Sequence, residues 1–286
     1  IMVRANAAAL MAGYSRGYTL ETIREAVRSP APLLRIAAAE GVASLSPETQ
    51  WRYLLRLLED DRLAVRNAAY TALLPLVTDA EQADRLRPYL NEYLTTQALT
   101  SDFPESLVNT ANAHIAMNNI DAAELKLEEA LQILPSWVPA LLNLADLYRA
   151  TLRDDQAEPL LRQAIEVAPE LPETSYSYAL WLTRNNRTED ALRYFQQAAD
   201  HGQHDQRYGY TLALALNSTG QGEAAVSQLE SLLARWPLSD NIAVALVTIL
   251  RDQGRNEAAL KYLEPLLQRN PQNTQLLSLQ RQLQRS

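Results

Sequence analysis

Cysteine is missing from all 286 residues. Disulfides, thiolate nucleophiles and zinc–thiolate sites are therefore excluded within the chain, and the lack is compatible with an oxidising compartment. Glycine is scarce at 8 residues and phenylalanine at 2, while hydrophobic residues, many of them Ala and Leu, reach 47%. That mixture favours helix over strand. No apolar run approaches the roughly 20 residues that a membrane-spanning helix needs. Positive charge is in deficit: 26 Lys and Arg against 34 Asp and Glu leave a net −8. A general nucleic-acid binder needs a basic surface to displace counterions, so that class is disfavoured. The chain begins at Ile1, within an expected helix and without a signal-like segment, and is expected to be excised from something longer.

Catalytic constellations are also missing. There is no Gly-rich phosphate loop and no Ser in a nucleophile-elbow context. Of the three histidines, His114 is expected to pack in a core. His201 and His204 share the stretch "HGQHD" with Asp205, but no fourth ligand accompanies them, and a polar exit turn is the expected reading. Asp154 and Asp155 precede a helix, where they favour its dipole, and Glu128 and Glu129 share a solvated face with Lys126. No catalytic residue, no metal site and no cofactor are assigned to this chain.

The chain does contain repeats. A column of alanines recurs every 34 residues at Ala123, Ala157, Ala191, Ala225 and Ala259. Four places on stand Leu127, Leu161, Phe195, Leu229 and Leu263; three further, Ala130, Ala164, Ala198, Leu232 and Leu266. A turn column reads Pro135, Pro169, Gln203, Pro237 and Pro271, and an upstream small column Ala111, Ala145, Ala179, Ala213 and Val247. Small residues let two helices approach closely, the large apolar residue fills the space between successive pairs, and Pro ends a helix. This pattern, over 104–273, resembles the tetratricopeptide repeat (TPR), a 34-residue helix–turn–helix. "TQLLSLQRQLQRS" at 274–286 follows as an amphipathic capping helix.

Residues 1–79 repeat differently. Arg4/Ala7, Arg35/Ala38 and Arg66/Ala69 recur at a step of 31, in a manner similar to HEAT repeats with the Arg near the start of the second helix. Between the arrays, 80–103 forms a junction in which 80–99 reads as one docking helix and the turn falls at Ser101–Pro104. The fold expected is therefore all-α, a right-handed α-solenoid: HEAT-like repeats, five TPRs and a cap.

In TPR arrays the first helix of each pair lines a concave groove through its fifth, ninth and twelfth or thirteenth positions. The resemblance implies that role for Asn112 in the first TPR, and for Asp146 and Arg149 in the second. It implies the same for Tyr176 and Arg184, for Tyr210 and Asn217, and for Arg251 in the next three. A two-Asn, multi-Lys clamp for a terminal carboxylate is not expected, because Asp146 replaces one Asn and Val108 one Lys. The function implied is a non-catalytic scaffold for a protein or extended peptide. Net charge by TPR runs −4, −3, −2, 0 and 0, with +2 on the cap, so a partner with a basic segment toward the first TPRs is expected.

HEAT-like repeats running directly into TPRs, with "PALLNLADLYRA" in the second TPR, also resemble the C-terminal region of some bacterial multihaem c-type cytochromes. That resemblance implies haem in a domain upstream of this chain, an accessory docking role here, and export to the periplasm.

Overall fold

The computed structural model describes residues 17–285; the first HEAT-like copy, with Arg4 and Ala7, lies outside them. Among the described residues there are helices and turns and no strand. The chain divides into two compact units, one running to Leu160 and the other from Leu161.

The first unit starts with α1 (Gly17–Val27), α2 (Pro32–Gly41), α3 (Pro47–Leu57) and α4 (Leu63–Leu73). Pro32 and Pro47 open their helices where no N–H is required, and Ser46 caps α3 by accepting from the Thr49 amide. α2 packs on α4, and Ala38 and Ala69, the repeated alanines, are fully buried. Next come α5 (Ala80–Leu86) and α6 (Leu90–Ala98), joined by a short 3-10 turn at Arg87–Tyr89. One helix was expected over 80–99. Pro88 interrupts it, because the ring offers no N–H and crowds the preceding turn. Both pieces still dock: Leu86 and Tyr93 are buried, and the Tyr93 ring stacks on Tyr70 with centroids 4.4 Å apart. The first TPR follows as α7 (Pro104–Ala116) and α8 (Ile120–Ile133), then α9 (Val138–Ala150) and α10 (Asp154–Val167), within which the unit boundary falls. Ala113 of α7 belongs to the same buried cluster as Tyr70 and Tyr93. The HEAT-like core and the first TPR thus share one hydrophobic interior inside this unit.

The second unit holds the rest of α10 and α11 (Pro172–Arg184), α12 (Thr188–His201), α13 (Gln206–Ser218), α14 (Gly222–Arg235), α15 (Asp240–Asp252), α16 (Asn256–Arg269) and α17 (Thr274–Arg285). Successive helices pack in order, α11 on α12 through α16 on α17. α17 covers the last pair with Leu276, Leu279 and Leu283 and leaves Gln275, Arg281 and Gln284 exposed. α10 and α16 run unbroken through Pro159 and Pro265.

All five members of the alanine column are fully buried, and the large apolar column four places on is at most 3% exposed. Each TPR turns between its helices in the same way. The N–H five residues beyond a carbonyl near the helix end closes back on it: Asn119 on His114, Arg153 on Tyr148, Arg187 on Leu182, Gln221 on Leu216 and Arg255 on Leu250. That closure requires the preceding residue to be left-handed, and those residues form a further 34-residue column: Asn118, Leu152, Asn186, Gly220 and Gly254, with φ from 57° to 78°. Asn and Gly accept this conformation easily; Leu152 does not.

Candidate interaction surface

In the first unit, α7 presents Asn112 and α9 presents Asn143, Asp146 and Arg149. Asn143 Nδ2 donates to Asn112 Oδ1 at 2.9 Å, which joins the two helices through an amide pair. Asp146 and Arg149 are exposed and pair along their own helix at 2.6 Å, so their charges largely cancel locally. The Asn pair forms one wall of a cavity of about 960 Å³. The opposite side comes from the end of α4, the 3-10 turn Leu74–Leu76 and α5, through Thr71, Leu74, Val77, Thr78, Ala80 and Arg87 among others. Asn143 and this junction lining were not among the residues the sequence pointed to. Asn143 does lie in a 34-residue polar column, Asn109, Asn143, Ser177 and Thr211, which was the available signal.

His114 is half-buried on α7; burial first, then the nearby Lys126, lowers its pKa. Val108 is buried and unavailable to a ligand. On the acidic side, Glu124 is held by both terminal nitrogens of Arg153, at 2.8 and 2.7 Å, and the Arg153 guanidinium also lies 4.7 Å from the Tyr148 ring centre. Asp121 and Glu128 are exposed and, among the described residues, in no ion pair within 4 Å.

In the second unit, Tyr176 on α11 is already engaged. Its ring meets Phe195 and Tyr208 edge-on at 6.0 and 5.2 Å, and the Arg207 guanidinium sits 5.5 Å from its centre. Tyr208 is buried and donates to Glu173 at 2.7 Å. Burial first, and that hydrogen bond second, push its hydroxyl up to about 12. Tyr210 on α13 rests its half-buried ring on the α13–α17 core, and its hydroxyl has no hydrogen bond among the described residues. Two turns later Asn217 is exposed, and its side-chain amide makes no hydrogen bond among the described residues. Arg184 is exposed. Arg251 is committed to its neighbours, donating to Asp252 at 2.7 Å and to Gln282 of α17 at 3.2 Å.

His201 and His204 are exposed, and Asp205 caps α13 at the Arg207 amide. Among the described residues no three His, Asp or Glu side chains converge in a way that could hold a metal ion. No helix among them is long and apolar enough to cross a membrane.

Stacked pairs of antiparallel helices, joined by short turns and sharing a layered core, define the α-solenoid class of repeat proteins. A family profile described as HEAT repeats matches residues 1–92, and profiles described as tetratricopeptide repeat match 140–173, 179–240 and 216–283. The chain is a tetratricopeptide-repeat protein with HEAT-like repeats at its N-terminal end. The HEAT match runs into α6, where Glu92 receives the third repeated arginine, Arg66.

Solved structures agree at the level of fold. Yeast Tom70 superposes over 96% of this chain and 62% of its own, with TM-score 0.66 and 17% identity. Pseudomonas aeruginosa pilF covers 63% of this chain and 82% of its own, with TM-score 0.54 and 20% identity. YrrB, described as a TPR protein with an unusual peptide-binding site, covers 65% and 96%, with TM-score 0.53 and 18% identity. No curated protein matches the chain significantly.

Proposed function

We propose that this chain is a non-catalytic scaffold that holds a protein or an extended peptide on the first-helix faces of its TPRs. The observation that carries this reading is the pair Tyr210 and Asn217 on α13. Tyr210 has an apolar body anchored in the core and a polar tip with no hydrogen bond among the described residues, and Asn217 offers an amide likewise without one on the same helix. Rigid, amphipathic aromatics of this kind supply much of the energy in protein interfaces. Tyr176 is a weaker candidate because its ring is already enclosed by Phe195, Tyr208 and Arg207. The likeness to YrrB, itself described as having a peptide-binding site, supports the same reading.

The partner carries a basic segment directed at the first TPR. Residues 104–137 hold a net −4, and Asp121 and Glu128 there are exposed and in no ion pair among the described residues. Exposed charges of this sort govern encounter more than residence, and salt screens them beyond about 8 Å.

The test is a pull-down with the chain as bait, followed by binding kinetics for the captured partner at two salt concentrations. Tyr210→Ala is expected to speed dissociation. Neutralising Asp121 and Glu128 is expected to slow association at low salt only. A partner that dissociates from Tyr210→Ala no faster than from the parent would move the contact surface elsewhere.

A further inference from the structure

Phe195, Gly202 and Tyr208 depart from the repeat pattern, and the three departures meet in one place. Phe195 stands where the other four TPRs have Leu. Tyr208 takes a position filled elsewhere by Ser106, Ala140, Thr174 and Ile242. Gly202 supplies the room, since a Cβ on it would lie 2.2 Å from the Tyr208 ring. The same position elsewhere holds Leu134, Ala168, Trp236 or Asn270. Departures from a packing pattern concentrate where a site is built.

What they build is a box for a cation. The Tyr176 ring meets Phe195 and Tyr208 edge-on. The Arg207 guanidinium lies over two of the rings, 5.5 Å from the centre of Tyr176 and 4.9 Å from that of Tyr208, and donates to the Tyr208 hydroxyl at 3.0 Å. That hydroxyl donates in turn to Glu173 Oε1 at 2.7 Å. Ring faces attract a cation, and a carboxylate behind the hydroxyl adds to the attraction. Glu173 and Arg207 hold the same position in successive TPRs, 34 residues apart.

Two observations point to an exchangeable occupant. The polar contacts of Arg207 come from its own helix start, an ion pair with Asp205 at 3.2 Å and the bond to the adjacent Tyr208, and its side chain is 55% exposed. Arg153, by contrast, grips Glu124 of the preceding TPR with both terminal nitrogens. Glu173, for its part, is short of a donor. Its Oε2 is buried without a hydrogen-bond partner among the described residues, a costly state for a carboxylate oxygen.

We infer that the box formed by Tyr176, Phe195, Tyr208 and Glu173 is a binding site for the guanidinium of a partner arginine, with Arg207 as its resident occupant in the free chain. The incoming guanidinium replaces Arg207 over the two tyrosine rings, and the displaced side chain keeps its pairing with Asp205. This rests on the scaffold reading above and adds a cationic contact separate from the basic segment at 104–137. Arg207 is tethered beside the box and competes at a high effective concentration. The free chain therefore binds isolated arginine weakly, and removing Arg207 unmasks the site.

The probe is N-acetyl-arginine amide, with N-acetyl-citrulline amide as its uncharged isostere. Each is titrated by NMR into the full 286-residue chain carrying ring-labelled tyrosine. Tyr176→Phe and Tyr208→Phe assign the two signals. The chains compared are the parent, Arg207→Ala, and Arg207→Ala combined with Glu173→Gln. Arg207→Gln is the second variant should Arg207→Ala fail to fold.

The expected result is a saturable movement of the Tyr176 and Tyr208 signals by the arginine probe, about tenfold or more tighter in Arg207→Ala than in the parent. The citrulline probe is expected to move neither signal, and Glu173→Gln to weaken the unmasked binding. Equal affinity in the parent and Arg207→Ala, an equal response to the citrulline probe, or movement of all tyrosine signals alike would overturn the site. Any of these results, together with faster dissociation of a captured partner from Tyr210→Ala, would overturn the box alone and leave the scaffold reading standing.

Discussion

Arg35 and Asp60 face each other as a two-pronged ion pair, Nε to Oδ2 at 2.6 Å and Nη2 to Oδ1 at 2.8 Å. Arg66 repeats the arrangement with Glu92 at 2.7 and 2.8 Å. In both cases the remaining nitrogen donates to a carbonyl six residues earlier, Ser29 for Arg35 and Asp60 for Arg66. Among the described residues the arginine column of the HEAT-like repeats thus ties α2 to the turn between α3 and α4, and α4 to α6.

Removing one of these ties should be costly and pH-dependent. The Arg35 and Asp60 side chains are only 12% and 9% exposed, so Arg35→Met should destabilise the first unit by roughly 2–3 kcal/mol. Burial alone would raise the Asp60 pKa, but hydrogen bonds from Arg35 and the Arg62 amide outweigh it, and the carboxyl is held below its usual range. A depressed folded-state value contributes stability above the unfolded pKa of about 4 and loses it as pH falls through the folded value. Denaturation of the parent between neutral pH and pH 3 should therefore show a steeper acid loss than Arg35→Met. Parallel profiles would show that the pair is not the source.

Leu152 is the one bulky member of the left-handed turn column and is 93% exposed. Left-handed backbone costs a non-glycine residue roughly 1–2 kcal/mol. Leu152→Gly recovers that cost less roughly 0.5–1 kcal/mol of extra chain entropy. A small net stabilisation is expected, also in Leu152→Asn, which accepts the conformation with less entropy loss. Chemical denaturation of the two variants decides it.

Gly202 lies at the third exit turn, immediately before Gln203, which takes the position that Pro fills in the other four. A Cβ on it would lie 2.2 Å from the Tyr208 ring and 2.8 Å from the Ala198 carbonyl. Gly202→Ala must displace that ring and with it the Tyr208–Glu173 hydrogen bond, a loss of roughly 1–3 kcal/mol. The readout is the melting temperature compared with Tyr208→Phe, which removes only the hydroxyl.

Ala191 is fully buried between α12 and its neighbours. Ala191→Leu should overpack that layer by roughly 1–3 kcal/mol, and because repeat arrays couple mainly to adjacent repeats, lost hydrogen-exchange protection should centre on α11–α13. Equal loss across 17–285 would contradict that locality.

The architecture was legible because packing against identical neighbours forces identical residues at a fixed step. The alanine, leucine and proline columns carry that constraint directly, and the structure buries the alanines and leucines as the spacing implied. Features set once rather than five times were harder to read. Pro88 splits the junction helix at one position only, and one side of the junction cavity is lined by residues from the 71–87 stretch, which belong to no column. The left-handed column was periodic but hidden, since Asn, Leu and Gly share a backbone conformation and no side-chain property. Tyr176 matched a groove position, yet its surroundings depend on Arg207 and Tyr208 from the following repeat, whose reach spacing does not encode.

The uninterrupted 34-residue step has a consequence for how such a chain can lengthen or shorten. Each TPR carries its own turn former, its own buried alanine and its own contact residues for the next, so a whole unit is a cassette that could be duplicated or deleted in frame. α17 is not interchangeable in this way. It covers the last pair with leucines and turns Gln275, Arg281 and Gln284 outward, where each TPR instead presents an apolar seat to the next. A cassette is therefore gained or lost within 104–273 without disturbing it.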